Sequence, residues 1–185
     1  MHPWKVISRR IALQQPPWLT VEIHEVELPN GRVIPEWSWV ITPDFVNVIA
    51  LTKDRRVLCF RQNKYAIDGL SYAPVGGYIE PGEDPLAAAQ RELHEETGYA
   101  ADVWHALGKY AVDGNRGAGH GHLYLALGAR KVAAIHADDL EEMELLQLTL
   151  DDFEREIIDG EFKLLPWVAN AALALLHIRR AKLNL

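Results

Sequence analysis

Apolar and polar residues alternate at the two-residue period of half-buried strands along the N-terminal part of the chain. Within 19–28, Val21, Ile23 and Val26 are set against Glu22, His24 and Glu25, and 4–13 also reads as a strand. Pro29-Asn30-Gly31 is a hairpin turn signal leading to a third strand at 32–41, and Thr42-Pro43-Asp44 breaks the pattern. The pattern predicts a small antiparallel sheet over residues 1–42, ahead of a larger unit at 43–185. Phe45 to Leu51 is a continuous apolar run, as in a strand buried on both faces, and after the turn at 53–56 a second strand returns at 57–62. Asp84-Pro85 is a helix start, an N-cap acceptor followed by proline at the first helical position, and Thr97-Gly98 is its stop. Strand-like runs follow at 103–112, 123–127 and 145–150, with a glycine-rich loop at 113–122 between the first two. Thr149 to Ile158 opens on a Thr-x-x-Asp cap and ends at Gly160, and 164–183 reads as an amphipathic helix whose terminal Arg179, Arg180 and Lys182 suit the negative end of its dipole.

Composition narrows the function classes. A net charge of −7 over 185 residues argues against a general nucleic-acid binder, because phosphate neutralisation needs a basic surface. The single cysteine, Cys59, lies in an apolar run and belongs to no disulfide or zinc pattern. The first residues lack the apolar core of a signal peptide, and no segment reaches the length of a membrane span, so a reducing cytoplasm is the expected compartment.

The chemistry concentrates in 77–99, GYIEPGEDPLAAAQRELHEETGY. Ala87 to Leu93 are strong helix formers. On such a helix Glu92 and Glu96 stand one turn apart on one face with Glu95 beside them, while Leu86, Ala89 and Leu93 make an adjacent apolar stripe. Arg91, four residues before Glu95, is placed to brace it. At ~5 Å and an effective dielectric of ~20, each like-charge pair costs about 3 kcal/mol. A partly buried face of this kind must protonate, separate or bind a cation, and clustered hard oxygens suit Mg²⁺ or Mn²⁺ better than Zn²⁺. The alternative is a solvated acidic helix face.

This stretch resembles the signature box of the Nudix hydrolases, G-x5-E-x7-R-E-U-x-E-E-x-G-U with U bulky and apolar: Gly77, Glu83, Arg91, Glu92, Leu93, Glu95, Glu96, Gly98 and Tyr99 fill its fixed positions. The run 71–77 is similar to the family's approach to the box, with Tyr72 where relatives carry glutamate. The resemblance implies an α/β fold, the Nudix α/β/α sandwich with a mixed sheet. It also implies Mg²⁺-dependent hydrolysis of the pyrophosphate bond in a nucleoside diphosphate linked to another moiety, most of all ADP-ribose or another nucleotide sugar. Triphosphates, dinucleotides and a catalytically silent binding module are the alternatives. The implied metal ligands are the Gly76 carbonyl, Glu92, Glu95 and Glu96, with Glu83 as a further ligand or orienter and Arg91 holding the carboxylates. The general base falls to Glu141, ahead of Asp139 and Glu142, or to Glu95. The N-terminal sheet resembles that of ADP-ribose pyrophosphatases and related nucleotide-sugar enzymes, which implies a homodimer. Trp37 is then either packing or a stacking partner for the nucleobase, Arg61 is a phosphate contact or a solvated strand-end charge, Arg116 is a candidate phosphate or ribose contact, and His120 and His122 are metal ligands or polar loop residues.

Overall fold

In a computed structural model describing residues 2–135 and 143–180, the apolar run after Asp44 becomes β4 (Phe45–Thr52), buried from Val46 to Thr52. A strand with no exposed face must be covered on both sides, and helices α1 (Pro85–Thr97) and α3 (Leu165–Arg180) both pack against it. The chain divides into two compact units, Met1–Asp44 with Tyr110–Gly121 and Phe45–Lys109 with His122–Leu185.

The first unit is built on β1 (Lys5–Gln15), β2 (Leu19–Glu27) and β3 (Val33–Ile41), a three-stranded antiparallel meander. The Pro29-Asn30-Gly31 turn forms as expected: the Gly31 N–H donates to the Leu28 carbonyl, and Gly31 takes φ +80°. β1 is exposed along its whole length. The unit also takes in the tip of the hairpin between β8 (Val103–Asp113) and β9 (Gly117–Lys131), and Val40 bridges Gly117 in parallel. That parallel step among antiparallel pairs makes the pairing mixed.

In the second unit β5 (Val57–Asn63) pairs antiparallel with β4, with β6 (Leu70–Ala73) and with β10 (Met143–Leu148), and a short β7 (Tyr99–Ala100) pairs with β9. Its core joins Val46, Val48, Ile49 and Leu51 to Leu58 and Phe60, Ala88 and Leu93 of α1, Ala171 and Ala174 of α3, and Phe153 of α2 (Leu150–Ile158). Thr149 caps α2 by accepting from the Asp152 N–H.

Three differences from the sequence reading have local causes. The loop expected over 113–122 shortens to three residues, because Gly117 and Gly119 (φ +86° and +75°) let β9 begin early against Trp39 and the Pro43 carbonyl. His120 and His122 therefore lie on a strand. β6, too short to show a period, was not expected at all. The run read as a strand at 145–150 is displaced, with β10 ending at Leu148 so that Thr149 is free to cap α2.

Candidate active site

The helix carrying the glutamates is fixed by its sequence at both ends. Asp84 accepts from the Leu86 and Ala87 N–H groups, Pro85 opens the first turn, and Gly98 closes the last in the left-handed conformation (φ +70°). Ala89 and Leu93 are fully buried and Leu86 packs against the same core, so the stripe pins α1. The neighbouring face then carries Arg91, Glu92, Glu95 and Glu96.

Arg91 does more than brace Glu95. Its Nε and Nη2 donate to Glu83 at 2.9 and 3.0 Å in a two-point fork. Nη1 donates to Glu92 Oε1 at 2.8 Å and to Glu95 Oε2 at 3.2 Å, and Nη2 also reaches the Tyr78 carbonyl at 3.2 Å. Glu83 in turn accepts from the Glu80 N–H. The Arg91 fork, with that N–H behind it, holds the Glu83 carboxyl below its ordinary range. The guanidinium, hydrogen-bonded first of all to Glu83, is held firmly protonated. The Glu83 contact spans eight residues and lies outside any helical spacing rule, so spacing alone does not reveal it.

Glu96 is the most buried of the set at 9 % exposure, and its Oε2 accepts from the Gly76 N–H at 3.0 Å. Two glycines are needed here. A Cβ at Gly76 would stand 2.1 Å from the Val46 carbonyl oxygen, and one at Gly77 would stand 2.4 Å from Glu92 Oε1. The bare backbone thus makes a cradle into which the Glu92 carboxylate sits. Of the expected residues, Arg91 joins Glu83, Glu92 and Glu95, and Glu96 is joined to the Gly76 N–H. Glu95 is half exposed, with side-chain accessibility of 51 %.

The donor set is all hard oxygen, and the glycine cradle leaves room for backbone and carboxylate to approach one centre, so the residues fit a divalent cation of the Mg²⁺ class. Among the described residues no three acidic, His or Cys side chains converge on one point as they stand. Arg91 holds Glu83, Glu92 and Glu95 on its own nitrogens.

Glu141, Asp139 and Glu142 lie outside the described residues. Arg61 is exposed on β5, in register with Tyr72 of β6 and Glu144 of β10. Tyr72 packs on Phe162 with ring centroids 5.8 Å apart. Arg116 is an exposed tip residue beside Asp113 at 3.7 Å. His120 meets Asp44 through both its N–H and its ring, at 2.8 and 3.3 Å. Cys59 is buried, its thiol pushed up to about 12 by that burial, and is chemically inert.

Trp37 belongs to the first unit, where it lines a cavity of about 380 Å³ with Trp4, Val6, His24, Val26, Trp39, Gly114 and Asn115. Its indole N–H donates to the Asn115 carbonyl at 2.8 Å, and Trp4 meets it edge-on at 5.1 Å between centroids. The buried His24, absent from the sequence-level candidates, is part of this wall.

Comparison with known proteins decides the family. The NUDIX domain model matches residues 42–168. The chain belongs to the Nudix family. A second model, the nucleoside diphosphate sugar hydrolase N-terminal domain, matches residues 4–40. Similar proteins are a methanol dehydrogenase activator from Bacillus methanolicus, 34 % identical over 71 % of this chain and 71 % of its own length. A CMP-5′-(N-acetyl-N-hydroxy-3-aminopropyl)phosphonate hydrolase from Streptomyces rubellomurinus is 32 % identical over 73 % of this chain and 65 % of its own. An ADP-ribose pyrophosphatase from Bacillus subtilis is 27 % identical over 75 % and 78 %. In fold the Nudix chain matches a crystal structure of an ADP compounds hydrolase, with TM-score 0.83, 18 % identity and coverage of 98 % and 97 %. With the box complete, the chain is a Nudix pyrophosphohydrolase, and enzymes of this family generally use a divalent metal. Among the described residues no helix is long and apolar enough to cross a membrane.

Proposed function

We propose that this protein hydrolyses the pyrophosphate bond of a nucleoside diphosphate linked to another moiety, with ADP-ribose or another nucleotide sugar as the substrate class and Mg²⁺, replaceable by Mn²⁺, as the cofactor. The observation that carries this reading is the joining of Glu83, Glu92 and Glu95 by one arginine while Glu96 holds the Gly76 backbone. A diphosphate is an anion, and an acidic surface of this kind can take it only through cations. When bound, such an ion offsets phosphate charge and acidifies water.

The residues divide the remaining work. Glu92, Glu95 and Glu96 with the Gly76 carbonyl are the proposed ligands, with Arg91 on one carboxylate oxygen each of Glu92 and Glu95. Glu83, ionised and fixed by two Arg91 nitrogens, serves as an anchor for the guanidinium more than as a carrier of protons. The base is proposed to be Glu141 or Glu95. In the first unit Trp37 is the proposed stacking partner for a nucleobase, supported by its place in an aromatic cavity. Arg61 is a proposed phosphate contact and Arg116 a proposed phosphate or ribose contact. The substrate class is supported by the match of residues 4–40 to a nucleoside diphosphate sugar hydrolase domain, and by two relatives whose names join a nucleotide to a second group.

We further propose that residues 1–42 mediate a homodimer, supported by the exposed apolar residues Val6, Ile7, Ile11 and Leu13 on β1, and that the protein works in the cytoplasm, supported by its single, buried, unreactive cysteine. Light scattering on Ile11→Glu tests the dimer: the reading expects a monomer, and an unchanged mass refutes it. Hydrolysis of ADP-ribose, nucleotide sugars, triphosphates and dinucleotides with Mg²⁺, wild type against Glu96→Gln, tests the enzyme. Turnover of sugar-linked diphosphates that disappears in the variant is expected. Turnover of triphosphates alone would move the substrate class, and none on any substrate would sink the reading.

A further inference from the structure

The cavity in the first unit offers more than stacking surface. Register sets Arg9, His24 and Trp37 side by side across β1, β2 and β3, with Ile11, Glu22 and Trp39 in the next row. His24 is only 4 % exposed. Its Nε2 lies 2.8 Å from Glu22 Oε2, and its ring stacks on Trp39 with centroids 5.7 Å apart and 20° between planes. The imidazole is thereby fixed in position and in tautomer. The carboxylate, which can only accept, takes the Nε2 proton, and in the neutral ring Nδ1 is then an acceptor. Nδ1 has no partner among the described residues. Indole faces alone discriminate weakly, because every base presents a similar π-face. A fixed acceptor does discriminate: an exocyclic amino group donates to it, whereas a carbonyl at the same ring position opposes it.

We propose that His24, oriented by Glu22, makes this cavity select a nucleobase bearing an exocyclic amino group, adenine or cytosine, over its keto counterpart, hypoxanthine or uracil. Glu22 is the positioning residue. The class of ligand rests on the nucleotide reading above, but the selection is a binding property and is measured without turnover.

The experiment is quenching of tryptophan fluorescence by AMP against IMP and by CMP against UMP, in EDTA at pH 8, where imidazole is ordinarily neutral. Wild type should bind each amino nucleotide about tenfold more tightly than its keto partner. His24→Phe keeps the ring on Trp39 and should bring both ratios near one. His24→Gln, which can still reach Glu22 but has no atom at the Nδ1 position, should do the same, and serves if the phenylalanine variant fails to fold. His24→Asn, whose amide oxygen stands close to the Nδ1 position, should restore part of the preference. Equal affinities in wild type, or a preference that survives both His24→Phe and His24→Gln, overturn the proposal. Nucleotide quenching with no hydrolysis under Mg²⁺ would sink the enzymatic reading alone, and hydrolysis with no quenching by any nucleotide would sink this one alone.

Discussion

On α1, Arg91 gathers Glu83, Glu92 and Glu95, and its farthest carboxylate partner lies eight residues away. In the first unit Trp37 is tied to Asn115, 78 residues away, and the cavity wall comes from β1, β2, β3 and the β8–β9 tip. One site is local, charged and preset by helix geometry. The other is assembled from strand register and is largely aromatic. The contrast bears on what each can tolerate. A local cluster of like charges depends on a few named oxygens and nitrogens, so a single atom change should remove its chemistry without disturbing the fold. A register-built cavity distributes its surface over many residues, so single changes should weaken it by degrees.

Glu96→Gln is the sharpest way to break this contrast. The amide oxygen can still accept from the Gly76 N–H, so melting temperature should change little, while kcat should fall by about 10³-fold through loss of a charged ligand. AMP binding to the aromatic cavity should be unchanged. Hydrolysis within tenfold of wild type in a steady-state assay would show that Glu96 is structural.

Arg91→Lys comes next. It keeps the charge but loses the planar fork that serves three carboxylates and the Tyr78 carbonyl. We expect about a 30- to 100-fold loss of kcat and about 1–2 kcal/mol of stability, read from chemical denaturation. A variant as active as wild type would mean that the carboxylates hold their places without the arginine.

The same contrast governs what the sequence revealed. The box was legible because α-helical periodicity converts spacing into a face, and Asp84, Pro85 and Gly98 mark the ends without help from distant contacts. The Glu83–Arg91 fork was not, because it depends on how the turn at 80–83 folds back onto the helix. In the first unit the strands of the meander were legible from alternation and from one turn. Which residues share a face was not: Glu22 and His24 read as the polar side of β2, yet they face the tryptophans of β3 through register, and His24 is buried. The early start of β9 turns on Gly117 and Gly119 closing against Trp39 and the Pro43 carbonyl, contacts that no local pattern encodes.

Trp37→Ala sharpens the comparison from the cavity side. Loss of one stacking surface should weaken AMP binding about tenfold, by fluorescence titration, with the Glu and Arg contacts of α1 untouched. Unchanged AMP affinity would remove Trp37 from the nucleotide site and leave it as packing for Trp4.

The smallest expected effect concerns Asp113, whose carboxylate orders the tip that supplies Gly114 and Asn115 to the cavity. It accepts from the Asn115 and Arg116 N–H groups at 2.7 and 3.0 Å, and those bonds, the Asn115 one first, hold its pKa below the ordinary aspartate value. A carboxyl depressed in the folded state adds stability above its unfolded pKa, about 3.9, and that contribution disappears as pH falls through the lower folded value. Asp113→Asn keeps an oxygen able to accept both N–H bonds but gives up the charge beside Arg116. Its melting temperature should therefore lie slightly below wild type at pH 7, and the gap should close as the pH is taken well below 4. A gap that stayed constant through the acid range would mean that the charge is immaterial and that the oxygen alone orders the tip. A gap that widened in acid would contradict the direction of the shift.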